Sequence, residues 1–310
     1  MNRIKTSTIL LAATALVLTA CSQEDGQQQN PNIISLSAAM SGQNITRASA
    51  SDELQLTQFA SGKSIFVEAY ETGESTTYTT GNYTTGSNGA MSGSLYYPSS
   101  TSAIDICAYY PATVSSTATT FPATGTIAAQ GTEAGYQGFD LMYATKLTNK
   151  AKGSTHALTF HHALTQIIVN ISAGSGVADD DITSNVTAVT INNTVPVASL
   201  SITDGVITAS AKAETAVADV TITGTGGTSN VGIIVPQTVA VGEFITVTYA
   251  GNSYTYSLTS AMTFAGGSTY TFNLTLSSAG LSLSSATISA WTDPYASTTP
   301  PSEFTQEITI

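Results

Sequence analysis

Apolar and polar residues alternate in short runs along most of the chain, and Gly, Asn, Asp and Pro separate the runs. A period of two predicts strands with one buried face, and spacings of about ten residues are typical of β-sandwiches and barrels. Such runs cover residues 64–70, 76–85, 104–111 and many later segments. No long stretch has the 3.6-residue period of a core helix. The pattern therefore predicts an all-β fold.

Two details of this pattern concern turns and domain boundaries. Gly81-Asn82 predicts a hairpin turn within residues 76–85, and Asp204-Gly205 predicts another tight turn. Within residues 154–172 the inward positions are even up to His162 and odd from Ile167. Since a one-residue slip turns every side chain over, a bulge or a change of domain must lie between them. We therefore expect two sandwich domains, at 48–165 and 166–292.

The first residues read as an export signal. A positively charged start precedes an apolar segment too short to span a membrane comfortably, and small residues lead to Cys21. This is the pattern of a bacterial lipoprotein signal at 1–20, in which Cys21 is acylated. The chain would then require the lipoprotein export machinery. Residues 21–47 read as a propeptide that contains a polar tether and a short strand.

That short strand precedes the last arginine of the chain. Its apolar face comprises Ile34, Leu36, Ala38 and Met40. Arg47 follows, and the other arginine, Arg3, lies inside the signal. An arginine-specific protease would therefore cut the exported chain at one bond, between Arg47 and Ala48, and separate the strand from everything downstream.

Residues 293–310 form a tail of different character. Pro294, Pro300 and Pro301 predict a stiff, extended connector. Beyond it, Phe304, Ile308 and Ile310 share one face of a period-two strand. An apolar strand without a partner is a liability. We expect this strand to pair with another chain.

Composition narrows the function further. The formal charge is −12 and charged residues make up 9% of the 310 positions, so a nucleic-acid partner, which needs clustered Lys and Arg, is excluded. No catalytic or nucleotide-binding signature is present, and the chain is predicted not to be an enzyme and to need no cofactor.

Three groups of residues invite a chemical interpretation. Adjacent His161 and His162 would point to opposite faces of a strand, so with His156 they favour packing over a metal site. Asp179–Asp181 lacks the glycine and glutamate of a calcium loop and predicts a solvated turn. Cys107 reads as a small apolar residue within a strand. We predict no metal site.

The tyrosines support a second hypothesis. Tyr78, Tyr83, Tyr96 and Tyr97 lie in hairpin-like segments, where exposed rings could stack on sugars or contact protein. A monomeric surface lipoprotein that binds glycan or protein is therefore the alternative to a fibre subunit. Trp291, the single tryptophan, ends a strand and is expected to fill a core.

Several segments carry a resemblance to a known family. They are the signal ending at Cys21, the Thr46-Arg47-Ala48 junction, AYYPA from Ala108, LTFHHALTQIIVNI from Leu158, VPQ from Val235, and the final strand, Trp291 and tail. Together they resemble the fimbrillin or Mfa-like proteins of Bacteroides-type bacteria over most of the chain.

The resemblance implies a type V pilin with two transthyretin-like β-sandwich domains and a C-terminal donor strand. Such a subunit is exported as an outer-membrane lipoprotein precursor, cleaved after an arginine by a surface protease, and polymerised into a cell-surface fimbrium by donor-strand exchange. Arg47 matches the cleavage position, Ile34 to Met40 match the removable strand, and Phe304 to Ile310 match the donor. The implied partners are other copies or related pilins. A tip adhesin of the same fimbrium is an alternative role.

Overall fold

Strands make up most of the computed structural model, as the alternating pattern predicts. The structure describes residues 32–40, 59, 61–98, 103–122, 129–130, 138–222 and 228–291, with the backbone of 302–304. In the first half, the described strands are β1 (Ser35–Met40), β2 (Ser64–Glu71), β3 (Thr77–Thr85), β4 (Ala90–Ser92), β5 (Ile104–Tyr110), β6 (Thr120–Phe121), β7 (Ala129–Gln130), β8 (Met142–Lys150) and β9 (Thr155–His162). A single 3₁₀ turn (Ser87–Gly89) precedes β4.

The second half has longer strands and one short α-helix, α1 (Asp179–Asn185), in its described part. Its strands are β10 (Thr165–Ala173), β11 (Val186–Thr194), β12 (Ala198–Thr203), β13 (Val206–Ala211), β14 (Ala218–Ile222), β15 (Ser229–Ile234), β16 (Gln237–Val239), β17 (Gly242–Tyr249), β18 (Asn252–Leu258), β19 (Met262–Phe264), β20 (Ser268–Ser277), β21 (Gly280–Ala290) and β22 (Ser302–Phe304). The all-β prediction is confirmed.

Seven strands of the first half close into a barrel in the order β1-β4-β3-β2-β5-β8-β9. β1 closes it, because this strand pairs antiparallel with β4 on one side and parallel with β9 on the other. Alternate side chains of the strands fill the interior, among them Ile65, Val67, Leu158 and Phe160, which are fully buried. At the level of sheet pairing this half is a closed sheet, and the sandwich expected here stays a prediction.

The second half contains two five-stranded sheets that share one hydrophobic core, together with the smaller sheets β13-β12-β6 and β16-β19. The five-stranded sheets have the orders β15-β10-β20-β21-β22 and β18-β17-β11-β14-β7. Buried side chains from both sheets, such as Ile167 and Phe272 in the first and Ile191 and Val247 in the second, belong to the same cluster. The alternation of Ile, Val, Leu and Phe with Thr and Ser along these strands accounts for this one-sided burial.

The two halves are less separate than the sequence suggests. β6 pairs with β12, and β7 pairs in parallel with β14, so short segments of the first half join sheets of the second. A third apolar cluster also draws on both halves, with Tyr109 and Leu141 beside Ile233 and Trp291. Residues Asn32–Ile310 form one compact unit. The domain bounds 48–165 and 166–292 therefore stay a prediction.

The expected break after β9 lies at Ala163 and Leu164. β9 belongs to the barrel and β10 to the next sheet, and the buried positions switch from even (Leu158, Phe160) to odd (such as Ile167) across these two residues. The change of parity thus corresponds to a change of sheet.

Two local predictions were wrong. Gly81-Asn82 makes no turn: Gly81 lies inside β3, where a Cβ atom would come within 2.9 Å of the Leu95 side chain. Asp179–Asp181 is not a turn but the first turn of α1. Acidic side chains at a helix N-terminus interact favourably with the helix dipole, and Ile182 anchors the helix in the core.

In the described residues, no helix is long and apolar enough to cross a membrane.

Candidate subunit-docking slot

β1 occupies a slot in the barrel wall between β4 and β9. Ile34, Leu36, Ala38 and Met40 are each at most 4% exposed, whereas the intervening residues are partly exposed. All four belong to the apolar cluster inside the barrel. The predicted amphipathic strand is therefore present, with its apolar face turned inward.

Backbone pairing holds β1 along both edges of the slot. On the β9 side the parallel register runs from Ser35 opposite Thr155 to Met40 opposite Phe160. On the β4 side Leu36 and Ser37 pair with Met91 and Ala90.

Just before β1, two further backbone hydrogen bonds hold the chain in the slot. Ile34 N–H donates to the carbonyl oxygen of Leu95 at 2.8 Å, and Tyr97 N–H donates to that of Asn32, also at 2.8 Å. Main-chain hydrogen bonds therefore hold an extended segment of about eight residues in the slot, in addition to its buried side chains.

Tyr83 reaches the backbone of the seated strand from β3. Its phenol Oη donates to the carbonyl oxygen of Ile34 at 2.7 Å, and the ring is 1% exposed. Burial raises the pKa of Tyr83 to about 12, so the phenol stays protonated and remains a donor at physiological pH. A Cβ atom on Gly93 would collide with the ring, so a glycine is required there to make room for it.

Gly89 lies against the middle of the seated strand. It has φ +74°, a conformation that favours glycine, and a Cβ atom at this position would collide with the carbonyl oxygen of Ala38. The sequence reasoning placed Tyr83 among possible exposed binding rings and overlooked Gly89. The Asn88-Gly89 pair carries the turn signal that could have drawn attention to this point, since Asn88 also has a positive φ.

Other predicted site residues lie beyond the described part of the chain. Cys21, Arg47 and Ala48 are outside the described residues, as are Ile308 and Ile310. Phe304 ends β22, whose backbone pairs antiparallel with β21 at Ala286. The start of the tail strand was expected to be unpaired; instead it follows the edge of its own sheet, where the backbone groups of β21 are open to pairing.

Each histidine has its own packing environment. His156 Nε2 lies 2.8 Å from Tyr97 Oη, and His161 Nε2 lies 2.8 Å from Thr145 Oγ1. His162 Nδ1 lies 2.8 Å from Asp140 Oδ1 in the core. Within the described residues, no group of three or more His, Cys, Asp or Glu side chains is arranged to hold a metal ion.

Trp291 packs in the apolar cluster that draws on both halves of the chain. It is 4% exposed, as expected for a core residue, and stacks on His162 with ring centroids 3.8 Å apart and planes 5° from parallel. Its backbone N–H donates to Gly267 at 2.7 Å. The residue that follows β21, two positions before the tail, thus packs against the last residue of β9.

A shallow cleft of about 310 Å³ lies where the β12–β13 turn approaches the barrel. Lys146 on its wall bridges Asp105 at 3.7 Å and Asp204 at 3.3 Å. Burial raises the pKa of the neighbouring Cys107 thiol to about 11, so it is not a reactive thiolate.

The proposed tyrosine platform is not formed as a group. Tyr83 and Tyr97 are buried, whereas Tyr78 and Tyr96 are 43% and 44% exposed. The binding hypothesis loses two of its four rings because β3 and the segment before β5 direct them into the barrel, where their hydroxyl groups bond to backbone carbonyls.

Comparison with known proteins identifies the family. The model of the family described as Fimbrillin-like matches residues 46–291. The chain belongs to the fimbrillin-like family. A search of curated proteins found no match.

Solved structures with the fimbrillin-like fold include two candidate cell adhesion proteins. The one from Bacteroides uniformis is 22% identical, with a TM-score of 0.63 over 84% of this chain and 100% of its own. The one from Bacteroides ovatus is 18% identical, with a TM-score of 0.63 over 84% and 97%. The tip fimbrial protein Mfa3 from Porphyromonas gingivalis is 9% identical, with a TM-score of 0.50 over 83% and 99%.

Fimbrillin-like proteins are structural rather than enzymatic, which confirms the prediction that this chain is not an enzyme. Membership of the family implies a cell-surface location and association with other fimbrial subunits.

Proposed function

We propose that this protein is a structural subunit of a fimbrial shaft that serves adhesion or biofilm formation. It is exported as a lipoprotein acylated on Cys21 and cleaved between Arg47 and Ala48 by an arginine-specific surface protease. It then joins other copies or related pilins by donor-strand exchange. We interpret its two groups of sheets as two transthyretin-like domains, with the tail at 293–310 as the donor.

The position of β1 carries this proposal. β1 is the first strand of the described chain, lies between β4 and β9, and buries every second side chain. Arg47 lies seven residues beyond the end of this strand at Met40. Cleavage there would leave β1 attached to the body through non-covalent contacts alone. A segment with this placement suits exchange, because its loss removes no other connection of the chain.

The energetics favour replacement over an empty slot. Loss of β1 would expose backbone donors and acceptors of β9 together with apolar side chains of the barrel core. Burying three large side chains in such a slot contributes about 4.5 to 9 kcal/mol before ordering costs. The tail offers Phe304, Ile308 and Ile310 for these positions.

The first test changes the cleavage residue. Arg47→Lys keeps the charge but removes the site for an arginine-specific protease, so we expect a lipid-attached subunit that forms no polymer. Arg3→Lys, in the signal, is the matched control and should polymerise normally. N-terminal sequencing of the wild-type surface protein should begin at Ala48. Polymer ladders of normal length from the Arg47→Lys strain contradict the cleavage step.

The second test removes the tail strand. Deletion of Phe304–Ile310 should leave a folded subunit that accepts a donor but cannot supply one. Mixed with wild-type subunits, it should shorten the fibres by capping them. Fibres of normal length built from the deleted subunit alone would show that the donor lies elsewhere.

A further inference from the structure

We propose that Tyr83 and Gly89 are positioning residues that recognise the backbone of whichever strand occupies the slot. They seat β1 in the precursor, and they seat the tail of a second copy in the fibre. The identity of the second occupant rests on the function proposed above. The contact of both residues with main-chain atoms is independent of it.

Tyr83 contributes a directed donor. Its Oη is buried and bonds to the carbonyl oxygen of Ile34 at 2.7 Å, a group that every residue in that place would present. The ring cannot easily turn away, because Gly93 is fitted closely against its face. With the slot empty, this hydroxyl loses its protein acceptor, and binding of the next strand restores a buried hydrogen bond.

Gly89 allows the backbone of the occupying strand to come close to the turn before β4. Its hydrogen, in place of a side chain, lets the carbonyl oxygen of Ala38 come against the turn that precedes β4. Any strand in the same register brings a carbonyl to the same point. A methyl group at this position would therefore push the occupant outwards, whatever its sequence.

Recognition of the backbone explains how one slot could accept two strands of different sequence. β1 is SLSAAM, and the terminal strand from Phe304 is FTQEITI. The faces that the alternating pattern assigns to the inside differ in size and polarity, with Ala38 on one and Gln306 on the other. Contacts common to both strands are consequently main-chain contacts, and Tyr83 and Gly89 supply two of them.

The test uses the full-length chain cut with an arginine-specific protease, which cleaves after Arg3 and Arg47. The first measurement is the rate at which the fragment 4–47 leaves the body, followed by size exclusion. The second is binding of a labelled peptide of residues 302–310 to the stripped body, followed by fluorescence anisotropy. Tyr83→Phe should release the fragment about tenfold faster and weaken the peptide about tenfold, the effect of one buried hydrogen bond.

Matched variants separate positioning from general destabilisation. Tyr78→Phe alters an exposed tyrosine on the same strand and should change neither measurement. Gly73→Ala has the same positive-φ strain as Gly89→Ala, at φ +84°, but a Cβ atom there meets nothing within 4 Å. Gly89→Ala should release the fragment at least tenfold faster than Gly73→Ala.

The outcomes are distinguishable. Equal fragment release by Tyr83→Phe and Tyr78→Phe overturns the inference, and this comparison remains available if Gly89→Ala does not fold. Wild-type binding of the tail peptide that is unaffected by either slot variant overturns it for the fibre while leaving the proposed function intact. A wild-type body that binds no tail peptide contradicts the proposed function and with it the second occupant.

Discussion

β1 and β10 occupy the same kind of position in two different sheets, yet we propose that only β1 leaves its sheet. Each lies between a parallel partner and an antiparallel partner: β9 and β4 for β1, β20 and β15 for β10. β10 pairs along Thr165–Ala173 with β20 and along Thr165–Asn170 with β15, whereas β1 pairs with β4 at Leu36 and Ser37. β10 is also continuous with β9 before it and α1 after it.

The comparison indicates that a central position in a sheet does not by itself decide whether a strand can be exchanged. Alternate side chains are buried in both strands, along all of β1 and from Thr165 to Ile171 of β10. The two strands differ in the length of their pairing and in their connection to the chain. The segment that joins β1 to the rest of the barrel contains Arg47. Stability of a strand and stability of its attachment are therefore separate properties in this protein.

A buried charge provides the strongest contrast. Ile167→Asp in β10 should abolish folding, since an unpaired buried carboxylate costs several kcal/mol and a domain has only about 5 to 15 to lose. Leu36→Asp should instead expel β1 and leave the second half folded. Circular dichroism and limited proteolysis measure both, with Ser37→Asp on the outer face as the control. Complete unfolding of Leu36→Asp would remove the distinction between the two strands.

Truncation of a side chain in β1 gives a milder test of whether this strand leaves the subunit. Leu36→Ala should lower the free energy of unfolding of the precursor by about 2 to 4 kcal/mol, and it should leave the processed subunit unchanged because the residue has been removed. Leu158→Ala, on the β9 wall of the slot, should destabilise both forms. Chemical denaturation before and after cleavage gives the four values. A lasting effect of Leu36→Ala after processing means that β1 stays with the body.

Acid should loosen β1 slightly more than β10. Burial, aided by Lys150, lowers the pKa of His156, which pairs with Leu36 across the slot, although a hydrogen bond to Ala151 opposes the shift. At this histidine the unfolded chain then binds a proton more readily than the folded one. The contribution of His156 to the free energy of unfolding is therefore fully present above the ordinary histidine pKa of about 6.5 and declines as pH falls below it. Release of fragment 4–47 should be a few-fold faster at about pH 5.5 than at about pH 7.5.

Two histidine variants assign that pH effect. His156→Gln should remove most of the acceleration. His161→Gln is the control, because burial also lowers the pKa of His161 but its partner is Thr145 on β8, away from β1. An unchanged pH dependence in His156→Gln would assign the effect to another group.

The sequence predicted the strands well where one face is buried. Ile34 to Met40 and the parity change near Ala163 follow directly from period-two burial. Closure of the barrel by a parallel β1–β9 pair could not be predicted, because alternation fixes which face is inward but not which strand is the neighbour.

Residues whose role depends on a distant contact were harder to interpret. Gly81 looked like a turn residue, but its small size serves the packing of Leu95. Tyr83 looked like a surface ring, but its hydroxyl bonds to Ile34, which directly precedes β1 and lies 49 residues away. Local pattern carries no information on such partners.

The stack of Trp291 on His162 has a mechanical consequence. β9 is the wall against which an inserted strand would pair, and its last residue stacks on Trp291, two residues before the tail. In a fibre assembled as proposed, a pull on the tail reaches Trp291 and then β21, which pairs with β20 between Gly280 and Ala290. The stack on His162 would pass part of that tension directly to β9, so the strand that receives one neighbour and the segment that reaches for the next would be mechanically coupled within a single subunit.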